Sequence, residues 1–193
     1  MARTREFQID ETTAKIKDVF WRLGYEGASM AQIETATGVK KQSLYRVFGD
    51  KRGMYLAALK DYNRVEIAAA KALLKSTESG VEGIRTLFAA VIDHVAVSDD
   101  RRGCLLCNAS VDQAVLDGDT GKVVVSIMDD FQRVIERCFN RDWPELTAAE
   151  LEAKALAVLS AYFGLRVLIK AGKSVSQLQL ASDNLLPPLL QPA

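Results

Sequence analysis

Ser29 to Phe48 reads SMAQIETATGVKKQSLYRVF, and its punctuation is that of two short helices joined by a tight turn. Ser29 is placed to accept a backbone N–H as N-cap, and Met30, Ile33 and Ala36 share one apolar face. Thr37 and Gly38 close this arm, because a helix C-terminus favours a glycine in the left-handed conformation. Val39 then begins the tuck into a second helix ending near Phe48. At about 100° per residue, Leu44, Val47 and Phe48 gather on one side of it. Gln42 and Arg46 point the other way, flanked by Ser43 and Tyr45. A helix so divided can bury one side in a small core and offer hydrogen-bonding and cationic groups to the major groove of DNA.

Outward from this stretch, 193 residues, 49% of them apolar, suit one or two domains with a sizeable core. There is no apolar run of about 18 residues, and the opening MARTREF lacks the apolar segment of a signal peptide, so a cytoplasmic protein without a membrane span is expected. Three cysteines fit a reducing compartment better than a disulfide framework. The net charge of zero argues against a nucleic-acid binder, but its distribution reverses that argument. Residues 1–60 hold 11 Lys/Arg against 7 Asp/Glu, and the remainder of the 25 and 25 leaves residues 61–193 with 14 against 18. A basic head on a neutral-to-acidic body is the expected footprint of a DNA reader.

Residues Ala2 to Phe7 carry Arg3 and Arg5 without helical pattern; a disordered terminus and a DNA-contacting arm are both open readings. A helix follows from Asp10 or Glu11 to Leu23, with Ile16, Val19, Phe20 and Leu23 inward, Trp21 and Tyr25 at the margin, and Gly24 as its end. Asp50 is an N-cap for a helix towards Lys75, with Met54, Tyr55, Ala58, Leu59 and Tyr62 inside and Lys51 and Arg52 in a first turn where a phosphate could dock. From Gly80 the pattern turns to longer apolar helices. VEGIRTLFAAVIDHVAV breaks at SDDRRG, CLLCNASVDQAVL is closed by DGDTG, and a helix opening near Gly121 runs through the β-branched residues 123–125. After the WPEL loop, Thr147 with Glu150 and Ser174 with Gln177 make capping boxes for two last helices, ended by Gly172 and by Pro187 and Pro188. The result is an all-α chain of about nine helices. Between Ala155 and Leu190 the charged residues are Arg166, Lys170, Lys173 and Asp183, so the last two helices call for burial on more than one side. A homodimer built through them supplies it, and a two-fold dimer suits a reader of paired half-sites; closure of a monomeric core is the alternative.

ASMAQIETATGVKKQSLYRVFGDKRGMYLAAL closely resembles the N-terminal domain of TetR-type (TetR/AcrR) transcriptional regulators, and the helix count and charge-poor final pair are similar to that family over the whole chain. Two departures are Glu34, where a small residue is common, and Lys40, where Ser or Asn often caps the recognition helix. The resemblance implies a DNA-binding domain at 1–50 and a ligand-binding and dimerisation body at 51–193. It implies that Ser29, Tyr45 and Lys51 hold phosphates, that Lys41, Gln42, Ser43 and Arg46 face the groove, and that Lys40 adds positive charge there. The partners implied are a double-stranded, (pseudo)palindromic operator and a small-molecule effector whose binding moves the heads, through the helix from Asp50, off half-sites about 34 to 36 Å apart.

In RRGCLLCNAS, Cys104 would open a helix after Arg101, Arg102 and Gly103, and Cys107 lies one turn on, a setting that favours thiolate and a response to electrophiles. The GC-L opening resembles a TetR subgroup that includes such sensors; burial as small hydrophobes is the competing reading, and Cys138 lies on an apolar stripe. Ligand-facing candidates placed by helix face are His94, Cys104, Cys107, Asn108, Phe131, Tyr162, Phe163 and Arg166, with ordinary packing as the default for each. A zinc site among Cys104, Cys107, Cys138 and His94 matches no known spacing, and no metal or cofactor is expected. An all-helical enzyme and a bare dimeric scaffold remain as rival functions. With one histidine, no phosphate-binding glycine loop and no nucleophile elbow, the leading expectation is a non-enzymatic, ligand-responsive repressor.

Overall fold

The structure is a computed structural model that describes residues 2–111 and 118–191, with side chains from residue 9 onward. Its α-helices are α1 (Ala2–Gly27), α2 (Met30–Thr37), α3 (Lys41–Phe48), α4 (Lys51–Tyr62), α5 (Ala68–Lys75), α6 (Gly80–Ser98), α7 (Leu105–Val111), α8 (Gly118–Asp142), α9 (Ala148–Lys170) and α10 (Val175–Leu189). A π-helical turn, Asn63–Ile67, joins α4 to α5. Counting Lys51–Lys75 as one helical run, there are nine among the described residues, and no strand. The chain divides into two compact units, Met1–Val65 with Leu105–Ser126 and Glu66–Cys104 with Ile127–Ala193.

In the first unit, α1 packs on α2, α4 and α7, and α3 packs on α4. Ile16, Val19, Phe20, Ile33, Leu44, Met54, Tyr55, Ala58, Leu59 and Tyr62 are buried there, much as helical spacing predicts. Three expectations need correction. Helix α1 begins at Ala2, not near Asp10: ARTREFQI contains neither Gly nor Pro, and each residue added in front of an existing turn gains a hydrogen bond without the cost of nucleation. Leu23 is 44% exposed, because the buried arc of α1 turns towards Lys17 and Trp21, and the Trp21 ring meets Tyr62 edge-on at 4.9 Å. Val47 is 47% exposed, since α3 is only two turns long and buries Leu44 alone. Gly24 does interrupt α1, with φ 71° and ψ 176°.

Lys17 and Asp61 form a buried ion pair at 3.0 Å, each less than a tenth exposed, and Arg64 donates a second hydrogen bond to Asp61. Two charges out of water hold only when each meets the other closely, so this pair pins α1 to the end of α4 in one register.

The second unit buries Ile84, Leu87, Phe88, Val91, Ile92 and Val95 of α6, which packs on α5 and α10, and also Phe131, Ile135, Val158 and Tyr162, the last of which meets Phe88 edge-on. Both capping boxes expected at Thr147–Glu150 and Ser174–Gln177 are formed. An unexpected cap is Asp142, whose carboxylate accepts hydrogen bonds from the Gly80 and Val81 N–H groups and the Ser79 hydroxyl, each at 2.8 Å. Partial burial works to raise its pKa, but these bonds at the positive end of α6 carry it below the ordinary aspartate value. Pro187 and Pro188 do not stop α10 but lie in its last turn, where neither has an N–H to return to the Asp183 or Asn184 carbonyl; the Leu190 N–H closes the end on the Leu186 carbonyl at 2.9 Å. The DGDTG stretch is not a loop from Gly118 on. Helix α8 starts there, three residues before Gly121, with Asp119 in the first turn where the dipole favours it. Residues 112–117, the expected end of the CLLCNASVDQAVL helix, lie outside the described residues.

Candidate nucleic-acid interface

Helix α2 starts as its sequence predicts. The Ser29 hydroxyl accepts the Gln32 N–H at 3.3 Å and donates to Gln32 Oε1 at 2.8 Å, while the Ser29 N–H reaches the same Oε1 at 2.8 Å. At its other end Gly38, φ 72°, returns its N–H to the Glu34 carbonyl at 2.8 Å. Thr37 braces the turn: its buried hydroxyl donates to the Ile33 carbonyl at 2.7 Å and accepts the Val39 N–H at 3.2 Å. A turn bonded on both flanks holds the direction in which the next helix leaves.

Lys40 is the N-cap residue of α3, extended at φ −67° and ψ 142°, with no side-chain hydrogen bond to the helix. The Lys41 N–H instead donates to Glu34 Oε1 at 2.7 Å. Leu44 anchors the inner face, and Lys40, Lys41, Gln42 and Arg46 are exposed, with Ser43 and Tyr45 half-buried beside them. The Lys41 ammonium lies 5.2 Å from the centre of the Tyr45 ring, within cation–π range.

Asp50 caps α4 by accepting the Gly53 N–H at 2.7 Å, as predicted. Gly53 is needed for another reason: a Cβ there would stand 1.8 Å from the Phe48 carbonyl oxygen, so the end of α3 and the start of α4 are in direct backbone contact. The Lys51 ammonium sits 4.6 Å from the centre of the Tyr25 ring, which belongs to an aromatic group with Phe20 and Tyr55. Arg52 bonds Asp119 at 2.8 Å, so of the two cations in that first turn one is already matched by a carboxylate. Reading the sequence missed Tyr25 as the seat of Lys51 and Glu34 as a cap. For Glu34 the signal was present in the paired departures at 34 and 40.

Residues 14–58, which include both arms and the start of α4, match the family described as "Bacterial regulatory proteins, tetR family". The chain carries the N-terminal DNA-binding domain of TetR-type transcriptional regulators. It is 27% identical over 161 residues to YezE, an HTH-type transcriptional regulator of Bacillus subtilis, covering 81% of this chain and 82% of that one. It is 31% identical over 125 residues to the HTH-type transcriptional repressor ComR of Escherichia coli, covering 64% and 60%. Among solved structures, a cysteine mutant of the TetR-family regulator CifR complexed with 26-bp double-strand operator DNA superposes with a TM-score of 0.82 at 26% identity, covering 92% of this chain and 94% of that chain. Like these relatives, the regulator is a helix-turn-helix DNA-binding protein.

In the second unit of the regulator, Tyr162 is the hub of an aromatic cluster, with ring centres 5.9 Å from Phe88, 5.4 Å from Phe131 and 5.8 Å from Phe163. Three of the ligand candidates, Phe131, Tyr162 and Phe163, are thus brought together. Arg166 donates to the Gly103 carbonyl. His94 stands apart on the solvent side of α6, 3.7 Å from the Asp100 carboxylate. Asn108 is buried on α7, Cys104 is buried just before that helix, and Cys107 is half-buried. The arginines ahead of Cys104 are matched: Arg101 bonds Asp99 at 2.7 Å and the Lys173 carbonyl at 2.8 Å, and Arg102 bonds Asp100 at 2.7 Å. The Arg102 hydrogen bond holds the Asp100 carboxyl at about 2. Cys138 is buried with its thiol on the Leu74 carbonyl, and burial pushes that thiol's pKa up. Among the described residues no group of three His, Cys, Asp or Glu could hold a metal ion, and no helix is long and apolar enough to cross a membrane.

Proposed function

We propose that the regulator is a repressor whose residues 1–50 read a two-fold operator, with Ser29, Tyr45 and Lys51 on phosphates, Lys41, Gln42, Ser43 and Arg46 towards the groove, and Lys40 adding positive charge that faces DNA. The observation that carries this reading is the outward face of α3, where Lys40, Lys41, Gln42 and Arg46 stand exposed while Leu44 ties the helix to its support. Glutamine can pair bidentately with adenine and arginine with guanine. The relatives named as repressors, and CifR complexed with its operator DNA, support the same assignment. Residues 51–193 form the body, and Leu156 and Val167 of α9 with Leu180 and Leu185 of α10, all exposed in the single chain, give a homodimer its apolar contact. Release follows when a small ligand, or a thiol-reactive signal at Cys104 or Cys107, binds or modifies the body and favours the state with less affinity for DNA. In this reading the protein works in the cytoplasm by binding alone and turns over no substrate.

Selection of bound sequences from random duplexes, followed by titration of the selected duplex, tests the reading. Gln42→Ala and Arg46→Ala should each lose about 1 to 3 kcal/mol of discrimination at one half-site position while binding non-specific DNA nearly as before. Unchanged base preference in both variants overturns the assignment of base reading to this face.

A further inference from the structure

A helix begins with N–H groups that have no partner inside it, and the residue at the cap ordinarily serves them with a short polar side chain. At the start of α3 that residue is a lysine, which has no acceptor to offer. A second lysine follows, so two cations lie at the positive end of the helix dipole, where cations are disfavoured. Glu34 answers both deficits. Its carboxylate reaches out of α2, across the turn, and accepts the Lys41 N–H at 2.7 Å. The same residue accepts the Gly38 N–H with its main-chain carbonyl at 2.8 Å. One residue therefore closes the first arm with its backbone and opens the second with its side chain.

We infer that Glu34 is a positioning residue of the DNA-reading head: by capping α3 from the neighbouring helix it fixes the angle at which α3 is presented, and it frees position 40 to carry a lysine towards DNA phosphate. The inference rests on the proposed reading of residues 40–46 as the DNA-facing surface. Glu34 and Lys40 then form one exchange rather than two isolated departures, since the acceptor that position 40 lacks for the Gln42 or Ser43 N–H is replaced by one from position 34 on the neighbouring Lys41 N–H. A carboxylate beside DNA would by itself repel the backbone. Bonded to the helix start, it is spent on geometry instead.

The test uses the full chain and four variants, Glu34→Ala, Glu34→Gln, Lys40→Ser and the double Glu34→Ala/Lys40→Ser. Two readouts are taken: hydrogen exchange of the Lys41 amide in the free protein, and the ratio of affinities for a selected duplex and a scrambled one at two salt concentrations. Glu34→Ala should speed Lys41 exchange and lower the specificity ratio, each by roughly five- to tenfold, the scale of a lost N-cap. Glu34→Gln keeps an acceptor and should stay within about threefold of the parent. Lys40→Ser should weaken both duplexes alike and reduce the salt slope by about 1. In that background the introduced serine accepts the Gln42 or Ser43 N–H and steadies the start of α3 locally, so adding Glu34→Ala should lower the specificity ratio by less than about twofold while still speeding Lys41 exchange. Equal or tighter operator binding by Glu34→Ala overturns the inference, because the carboxylate would then only repel DNA. An equal loss in both backgrounds overturns it too, as a folding defect without coupling to position 40. If the parent protein selects no duplex, the DNA-facing reading fails, and an unchanged Lys41 exchange rate in Glu34→Ala separately overturns the cap.

Discussion

The pairing of Lys17 with Asp61 shows how much one buried contact between charged side chains can specify. Loss of Asp61 takes the carboxylate from a buried lysine, whereas loss of Lys17 leaves Asp61 still bonded to Arg64, so removing Asp61 is the costlier change. Asp61→Ala should cost about 3 kcal/mol in urea denaturation, whereas Lys17→Met with Asp61→Leu should recover most of it. Equal losses in the single and double variants would show that the pair contributes nothing beyond packing. This contact was not legible in the sequence: helical spacing places Lys17 beside the apolar stripe of α1, but a lysine there reads as a solvated margin until its partner, 44 positions along the chain, is seen. Glu34 was half legible. Its misfit with the family pattern stood out, and the reason needed the 2.7 Å contact.

Among elements, those with strong local signals were read correctly. Thr147 and Ser174 cap as their S/T-x-x-E/Q spacing predicts, Ser29 is the N-cap expected of it and forms a box with Gln32 as well, and Gly38 takes the left-handed conformation it was expected to take. What periodicity could not supply was extent. Helix α1 runs back to Ala2, α8 starts at Gly118, and α10 carries two prolines in its last turn, because helix ends depend on what stops propagation rather than on which face is apolar. The joint between α3 and α4 is likewise invisible in a hydrophobic pattern, being a contact of backbone with backbone at Gly53. Gly53→Ala should force that joint apart at a cost of about 3 kcal/mol. Thermal melts would register it as a lowered Tm, and operator titration as weakened binding. A variant with parental Tm and affinity would mean that the Phe48 carbonyl yields freely.

At the scale of the whole molecule, carboxylates with lowered pKa values contribute to acid stability. Asp142 and Asp100 both have pKa values lowered in the folded protein, the second to about 2 from an ordinary 3.8. A depressed carboxylate adds stability that is fully present above its unfolded value and is lost as pH falls through the folded one. The urea midpoint should therefore be level near neutrality and decline from about pH 4 towards pH 2. Asp142→Asn should flatten part of that decline and lower the unfolding free energy at neutral pH by about 1 kcal/mol; an unaltered pH profile would remove Asp142 from this role. The all-α class and the TetR-type resemblance were legible because they rest on short-range spacing and on one specific motif. The partners of buried and capping charges were not, because they join residues tens of positions apart. The Gly53 contact carries a consequence for how such a regulator can change its target. With α3 bolted at its far end to α4 and at its near end to Glu34, the exposed side chains at 40–42 and 46 bear none of the support. On the proposed reading, reprogramming the operator is a matter of swapping the lettering on a fixed plate, and a library confined to positions 41, 42 and 46 should yield new preferences without new folds.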